Sequence, residues 1–173
     1  MANESALIIP IPEVEPIVGP LRLQYDRAAR LGVPAHITLL YPFRPADAVI
    51  GEMEKLTTLC SSIKAFSFSF IELRRFPATA YLHPDKSERF AQITEALMRL
   101  WPDCRPYGGA FAEIIPHLTV ADRVDIKVLG EAESFLRPQL PIKCVAREVL
   151  LMTCNEAGMW TTMARFPLSA MPS

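Results

Sequence analysis

The sequence predicts an α+β fold of two pseudo-symmetric lobes around a central groove, each lobe a mainly antiparallel sheet with outer helices. Two observations carry this reading. The pattern histidine, apolar, threonine, apolar occurs twice, as His36-Ile37-Thr38-Leu39 and His117-Leu118-Thr119-Val120, with the two histidines 81 positions apart. Each copy also sits in the same order of segments: helix, motif strand, helix, two-strand hairpin. The 81-residue shift carries the hairpin over 66–82 into that over 147–163. The chain therefore reads as a single bilobal domain, 1–173, with an internal duplication whose halves lie at about 13–84 and 85–166. That period is too long for a solenoid.

Residues 6–11, Ala-Leu-Ile-Ile-Pro-Ile, predict a short strand whose prolines suggest a sheet edge or an early end. Pro20 suits the start of a helix with Leu21, Leu23, Tyr25, Ala28 and Leu31 on its apolar face, stopped by Gly32. The first motif strand follows, then a loop, Tyr41-Pro42-Phe43-Arg44-Pro45, and a helix over about 47–61. Residues 65–75 alternate as a strand, with Phe66, Phe68 and Phe70 on one side, and 79–82 continue after Pro77. A helix over about 85–100 carries Phe90, Ile93, Leu97 and Leu100 on one face. After a Pro/Gly-rich loop at 102–109 comes the second motif strand, then a helix within 126–137 weakened by Gly130. Two strands close the chain, over 142–153 and 159–166, joined by the turn Asn155-Glu156-Ala157-Gly158.

Composition narrows the function. Of 173 residues, 50% are hydrophobic, enough for a real core and too many for disorder. With 18 basic against 19 acidic residues there is no sequence-wide positive field for a long polyanion, so a nucleic-acid substrate would be a small piece or an end. The start lacks a basic n-region, and Pro10, Pro12 and Glu13 break the apolar stretch behind it, unlike a signal peptide. No apolar run approaches the roughly 20 residues of a membrane helix. Four cysteines with no C-x-x-C pair fit reduced thiols. A cytoplasmic, monomeric protein without membrane contact is expected.

The repeated motif carries the chemistry. On a strand, residues i and i+2 share a face, so each copy presents an imidazole beside a hydroxyl while its apolar residues turn inward. An imidazole pair, one neutral and one protonated, can take a proton from an attacking oxygen and give one to a leaving oxygen. Two threonine hydroxyls can donate to nonbridging phosphate oxygens, where charge accumulates. One such tripeptide is weak evidence; two in corresponding places are strong, because core packing does not require the same polar pair twice. His36 and His117 with a carboxylate such as Asp122 or Glu113 would make a zinc site only without any known ligand spacing, and the threonines would go unexplained. No metal and no cofactor are expected.

On the two motifs, on Pro34-Ala35-His36-Ile37-Thr38-Leu39-Leu40-Tyr41-Pro42-Phe43, on Ala80-Tyr81-Leu82-His83-Pro84 and on Pro116-His117-Leu118-Thr119-Val120-Ala121, the chain resembles the 2H phosphoesterase superfamily, in its bacterial 2′-5′ RNA ligase-like branch. The resemblance implies a two-lobed fold around a central groove and metal-independent catalysis. It further implies action on 2′,3′-cyclic phosphates or 2′-5′ phosphodiester linkages of RNA ends or nucleotides. Carried onto this sequence, it makes His36 and His117 the acid/base pair and Thr38 and Thr119 the phosphate donors. Many relatives have an arginine three residues beyond the second motif's threonine, where Asp122 stands here; Arg123 is the nearest substitute, one position on and so on the other face of a continuing strand.

Lesser candidates surround the motifs. Tyr41 and Phe43 are placed to stack on a base or to pack their loop. His83 lacks a threonine partner and reads as a surface turn residue, and Arg44, Arg74 and Arg75 read as solvated charges at strand ends. The alternative to an enzyme is a non-catalytic RNA-end or nucleotide-binding module with the same groove.

Overall fold

The structure, a computed structural model, describes residues 3–171. In chain order the first half holds β1 (Ser5–Pro10), α1 (Glu15–Tyr25), α2 (Arg27–Arg30), β2 (His36–Leu40), α3 (Met53–Ser62), β3 (Phe66–Phe76) and β4 (Thr79–Pro84). The second holds α4 (Ser87–Leu100), β5 (Leu118–Asp122), α5 (Ile126–Leu136), β6 (Ile142–Ala146), β7 (Glu148–Cys154) and β8 (Trp160–Pro167). Two four-stranded sheets result, in the orders β2-β1-β7-β8 and β5-β4-β3-β6, with antiparallel pairing throughout. This is the α+β, two-lobed architecture expected from the sequence.

Each sheet has a motif strand at one edge, but neither sheet is one contiguous half of the chain. The first takes β1 and β2 from the start and β7 and β8 from the end; the second takes β3 to β6 from the middle. The expected division at 84/85 is thus not a division between sheets. The run 142–153 is not one strand either: it breaks at Arg147, with β6 in the second sheet and β7 in the first. β1 lies inside its sheet rather than at an edge, because Pro10 is its last residue and its missing N–H interrupts no ladder. The first helix begins at Glu15, with Pro16 in its opening turn, and contains Pro20. Extended backbone at Asp26 ends it, and the Asp26 carboxylate accepts from the Ala28 N–H to cap α2.

One apolar core joins the sheets. Leu7 and Ile9 of β1, Ile37 and Leu39 of β2, Phe66, Phe68 and Phe70 of β3, Leu82 of β4, and Leu118 and Val120 of β5 belong to a single buried cluster. Phe66, Phe68 and Phe70 turn inward while Ser67 and Ser69 alternate outward, as period two requires. Phe90, Ile93 and Leu97 repeat on one face of α4, and the Phe90 ring packs edge-on against Phe66 and Phe68 at 5.1 and 5.0 Å. The helices pack crosswise. α1, which connects β1 to β2, lies on β5 of the other sheet; α4, which connects β4 to β5, lies on β2. There the buried Thr94 hydroxyl donates to the Leu39 carbonyl at 2.9 Å. Because Phe90 is fully buried at the centre of this arrangement, Phe90→Ala is expected to cost about 3 to 5 kcal/mol of folding free energy in urea unfolding. A loss below about 1 kcal/mol would mean that the two sheets do not share this core.

Candidate active site

The core fixes where the motif side chains go. With Ile37 and Leu39 turned inward on β2, and Leu118 and Val120 on β5, His36, Thr38, His117 and Thr119 are left half-buried on the opposite faces. β2 and β5 touch across the lobes, and the two imidazoles are close enough for charge on His117 to bear on His36.

Both rings are anchored alike. His36 Nδ1 lies 2.7 Å from the Pro34 carbonyl, and His117 Nδ1 lies 2.7 Å from the Ile115 carbonyl, each two residues upstream. A carbonyl only accepts, so Nδ1 carries the hydrogen and Nε2 of the neutral ring keeps its lone pair for substrate. His117 is held further by the Phe76 and Tyr81 rings, each 5.3 Å away, which stack on one another at 4.4 Å.

Their electrostatic settings differ. Burial, then the Arg22 charge, pushes the His36 imidazolium down to about 3. His117 is also lowered by burial, but its hydrogen bond to Ile115 and the Asp122 charge oppose the shift. Arg22 is itself 1% exposed; its Nε and Nη2 donate to Asp26 at 3.1 and 2.9 Å, and Nη2 also reaches the Val33 carbonyl. Asp122 accepts from the Thr79 hydroxyl at 2.6 Å.

Sequence reading missed Tyr107. It lies in the connection before β5 with φ at +53°, followed by Gly108 and Gly109, also at positive φ. A non-glycine residue held there is strained, which requires surrounding contacts to fix it. Those contacts are present: the Tyr107 N–H donates to the Tyr41 carbonyl at 2.5 Å and its ring meets Phe111 edge-on at 5.5 Å, while the Thr38 side chain offsets part of the upward push that burial gives its hydroxyl. The sequence signal was a tyrosine before Gly-Gly within the Pro/Gly-rich loop.

The other expected residues are dispersed. Phe43 is 6% exposed and packs edge-on against Trp101 at 5.2 Å, which favours loop packing over a substrate contact. Tyr41 donates to Glu4 at 2.8 Å and meets Trp160 at 5.9 Å. Arg123 follows β5 at φ +55°, its side chain 87% exposed and 3.7 Å from Asp122. Arg44 is tied to Asp103 and Glu52. His83 is not a turn residue: it lies in β4, half-buried opposite Glu72, with its buried Nδ1 unpartnered among the described residues. A cavity of about 500 Å³ beside the entry to β2 is lined by Pro10, Pro34, Ala35, Leu150 and Arg165 but by none of the four motif residues. Among the described residues no three His, Cys, Asp or Glu side chains cluster as metal ligands do, and no helix is long and apolar enough to cross a membrane.

The depressed histidines give a stability prediction. Below pH 6.5 the unfolded chain takes up protons that the folded His36 refuses, so stability falls as pH drops from 7 toward 4, by up to about 1.4 kcal/mol per pH unit for that group. His36→Gln is expected to flatten this slope in thermal unfolding; an unchanged slope would refute the burial of a neutral ring.

Comparison with known proteins agrees with this fold. The protein TT0787 of Thermus thermophilus superposes with a TM-score of 0.63 at 17% identity, over 96% of this chain and 98% of that one. E. coli LigT in its apo form gives 0.61 at 14%, over 96% and 98%, and its complex with 3′-AMP gives 0.58 at 15%, over 97% and 99%. A search of curated protein sequences finds no match. The family model described as the 2′-5′ RNA ligase superfamily matches residues 10–157, and with both motif strands inside that span the chain belongs to this superfamily, whose phosphoesterase members share its two-lobed fold.

Proposed function

We propose that the protein is a metal-independent phosphoesterase that acts on 2′,3′-cyclic phosphates or 2′-5′ phosphodiester linkages of RNA ends or nucleotides, with His36 and His117 as the general acid/base pair. The carrying observation is the paired anchoring of the two rings: each Nδ1 is bound to the carbonyl two residues upstream, just before the strand begins, and each ring shares its face with a threonine. In opening a cyclic phosphate, one Nε2 takes the proton of the attacking water while the other ring gives a proton to the leaving ribose oxygen. One P–O bond forms and one breaks, and the rings exchange roles in the reverse, joining direction. Thr38 and Thr119 donate to the nonbridging oxygens, and Tyr107 orients Thr38 through its hydroxyl. That crystals of E. coli LigT hold 3′-AMP supports a nucleotide-sized ligand.

The test is a panel of 2′,3′-cyclic mononucleotides and short RNAs with a terminal cyclic phosphate, run with EDTA present. Turnover by wild type and a fall of about a hundredfold or more in His36→Ala and in His117→Ala are expected. Binding without turnover would favour the non-catalytic module. Since both imidazoles are lowered, kcat/KM should peak on the acid side of pH 6.5 and decline as pH rises through the lowered His117 value. A profile flat from about pH 5 to 9, with chemistry rate-limiting, would sink the acid/base pair. Tyr107→Phe should keep the fold and lower kcat roughly tenfold by freeing the Thr38 hydroxyl; an unchanged kcat would remove Tyr107 from the machinery.

A further inference from the structure

A phosphodiester is anionic, and two threonine hydroxyls bring no charge to meet it. The cations that the sequence places near the motifs are otherwise engaged. Arg22 is sealed in the protein at 1% exposure, Arg44 is held by Asp103 and Glu52, and Arg123 is turned to solvent beyond the end of β5. Among the strands next to the second motif, β3, β4 and β5, only β3 carries any Lys or Arg, at Arg74 and Arg75.

Register separates these two. Arg75 pairs across β4 with Ala80, on the face covered by α5, where its guanidinium binds Glu133. Arg74 pairs with Tyr81, and Tyr81 pairs with Thr119, so Arg74, Tyr81 and Thr119 form one row on the His117 face. Two strand spacings put the Arg74 and Thr119 Cα atoms roughly 10 Å apart. The charge on Arg74 bears on the Tyr81 hydroxyl, and the Tyr81 ring lies against His117.

Resting on the phosphoesterase reading, we propose that Arg74 is a substrate-binding residue, the cation that contacts the anionic oxygens of the phosphate held at the two His-Thr strands. Its present partner is a stand-in. Nε and Nη2 of Arg74 donate to Glu72 Oε1 at 3.0 and 2.5 Å, so a carboxylate oxygen occupies the fork that a phosphate oxygen would take. Both side chains are 45% exposed, and an ion pair in that setting opens at little cost. The planar five-donor guanidinium can also keep Glu72 on one edge while presenting the other. Glu72 then serves to aim the arginine when the groove is empty.

The experiment has two readouts. The first is the dissociation constant of inorganic phosphate, followed by NMR of the amides around Thr38 and Thr119, in wild type, Arg74→Ala, Arg74→Lys and Arg75→Ala. The second is kcat/KM on 2′,3′-cyclic AMP in the same set, with thermal unfolding to verify folding. Arg74→Ala is expected to weaken phosphate and to lower kcat/KM by about tenfold to a hundredfold, Arg74→Lys to recover part of each, and Arg75→Ala to stay within about twofold. Phosphate affinity unchanged in Arg74→Ala, or lost equally in Arg75→Ala, overturns the proposal, as does a wild type that binds no phosphate. A wild type that binds phosphate through Arg74 yet turns over nothing upholds the assignment of Arg74 and rejects the catalytic reading.

Discussion

One apolar core shared by two sheets, combined with the period-two alternation of strands, governs the whole molecule. Ile37, Leu39, Leu118 and Val120 are all 2% exposed or less within one cluster. Each such burial contributes about 1.5 to 3 kcal/mol. Slipping either motif strand by one residue would exchange these side chains for a histidine and a threonine in the core, so register is strongly specified. The site's geometry is therefore set by packing: the imidazoles and hydroxyls lie together because their neighbours in sequence have to be elsewhere.

Periodic features of the fold were legible for the same reason. The Phe66, Phe68, Phe70 alternation and the Phe90, Ile93, Leu97 spacing each report a face, and a face is a local property. Which sheet a strand joins is not local. Residues 142–146 and 148–154 are both apolar and strand-forming, and nothing in them says that the chain changes sheets at Arg147, whose guanidinium pairs with Glu13 and whose carbonyl accepts from Leu168. Pro10 left two readings open, an edge strand or an early end, because a proline at a strand's last residue and one on an edge strand look the same in sequence; β1 ends there, so the second holds. Pro16, not Pro20, opens the first helix because the apolar run from Val14 already folds onto the core.

The site divides along the same line. The four motif residues announced themselves by repetition. Tyr107 comes from a loop ten positions upstream of His117 yet docks on the other lobe's motif strand, and Arg74 reaches the row of Thr119 only through the pairing of β3 with β4 and of β4 with β5. His83 read as a turn residue because the Pro84 behind it suggested that the strand had ended, whereas β4 runs through Pro84. For Phe43 the loop position alone left stacking and packing both open, and the choice is made by Trp101, 58 positions on, which covers it.

Repetition in the sequence also overstates the equivalence of the two histidines. Their backbone anchors match in partner type and in length, but the charges around them do not. A buried guanidinium, compensated by Asp26 and pinned to the Val33 carbonyl just before the motif, disfavours a proton on His36; the Asp122 carboxylate favours one on His117. Two identical rings in identical settings would titrate together, and at most pH values both would be neutral or both protonated. An acid/base pair needs one of each. The departure from symmetry at Arg22 and Asp122 is thus what lets a symmetric motif supply two different protonation states at one pH, and it is carried by residues outside the motif.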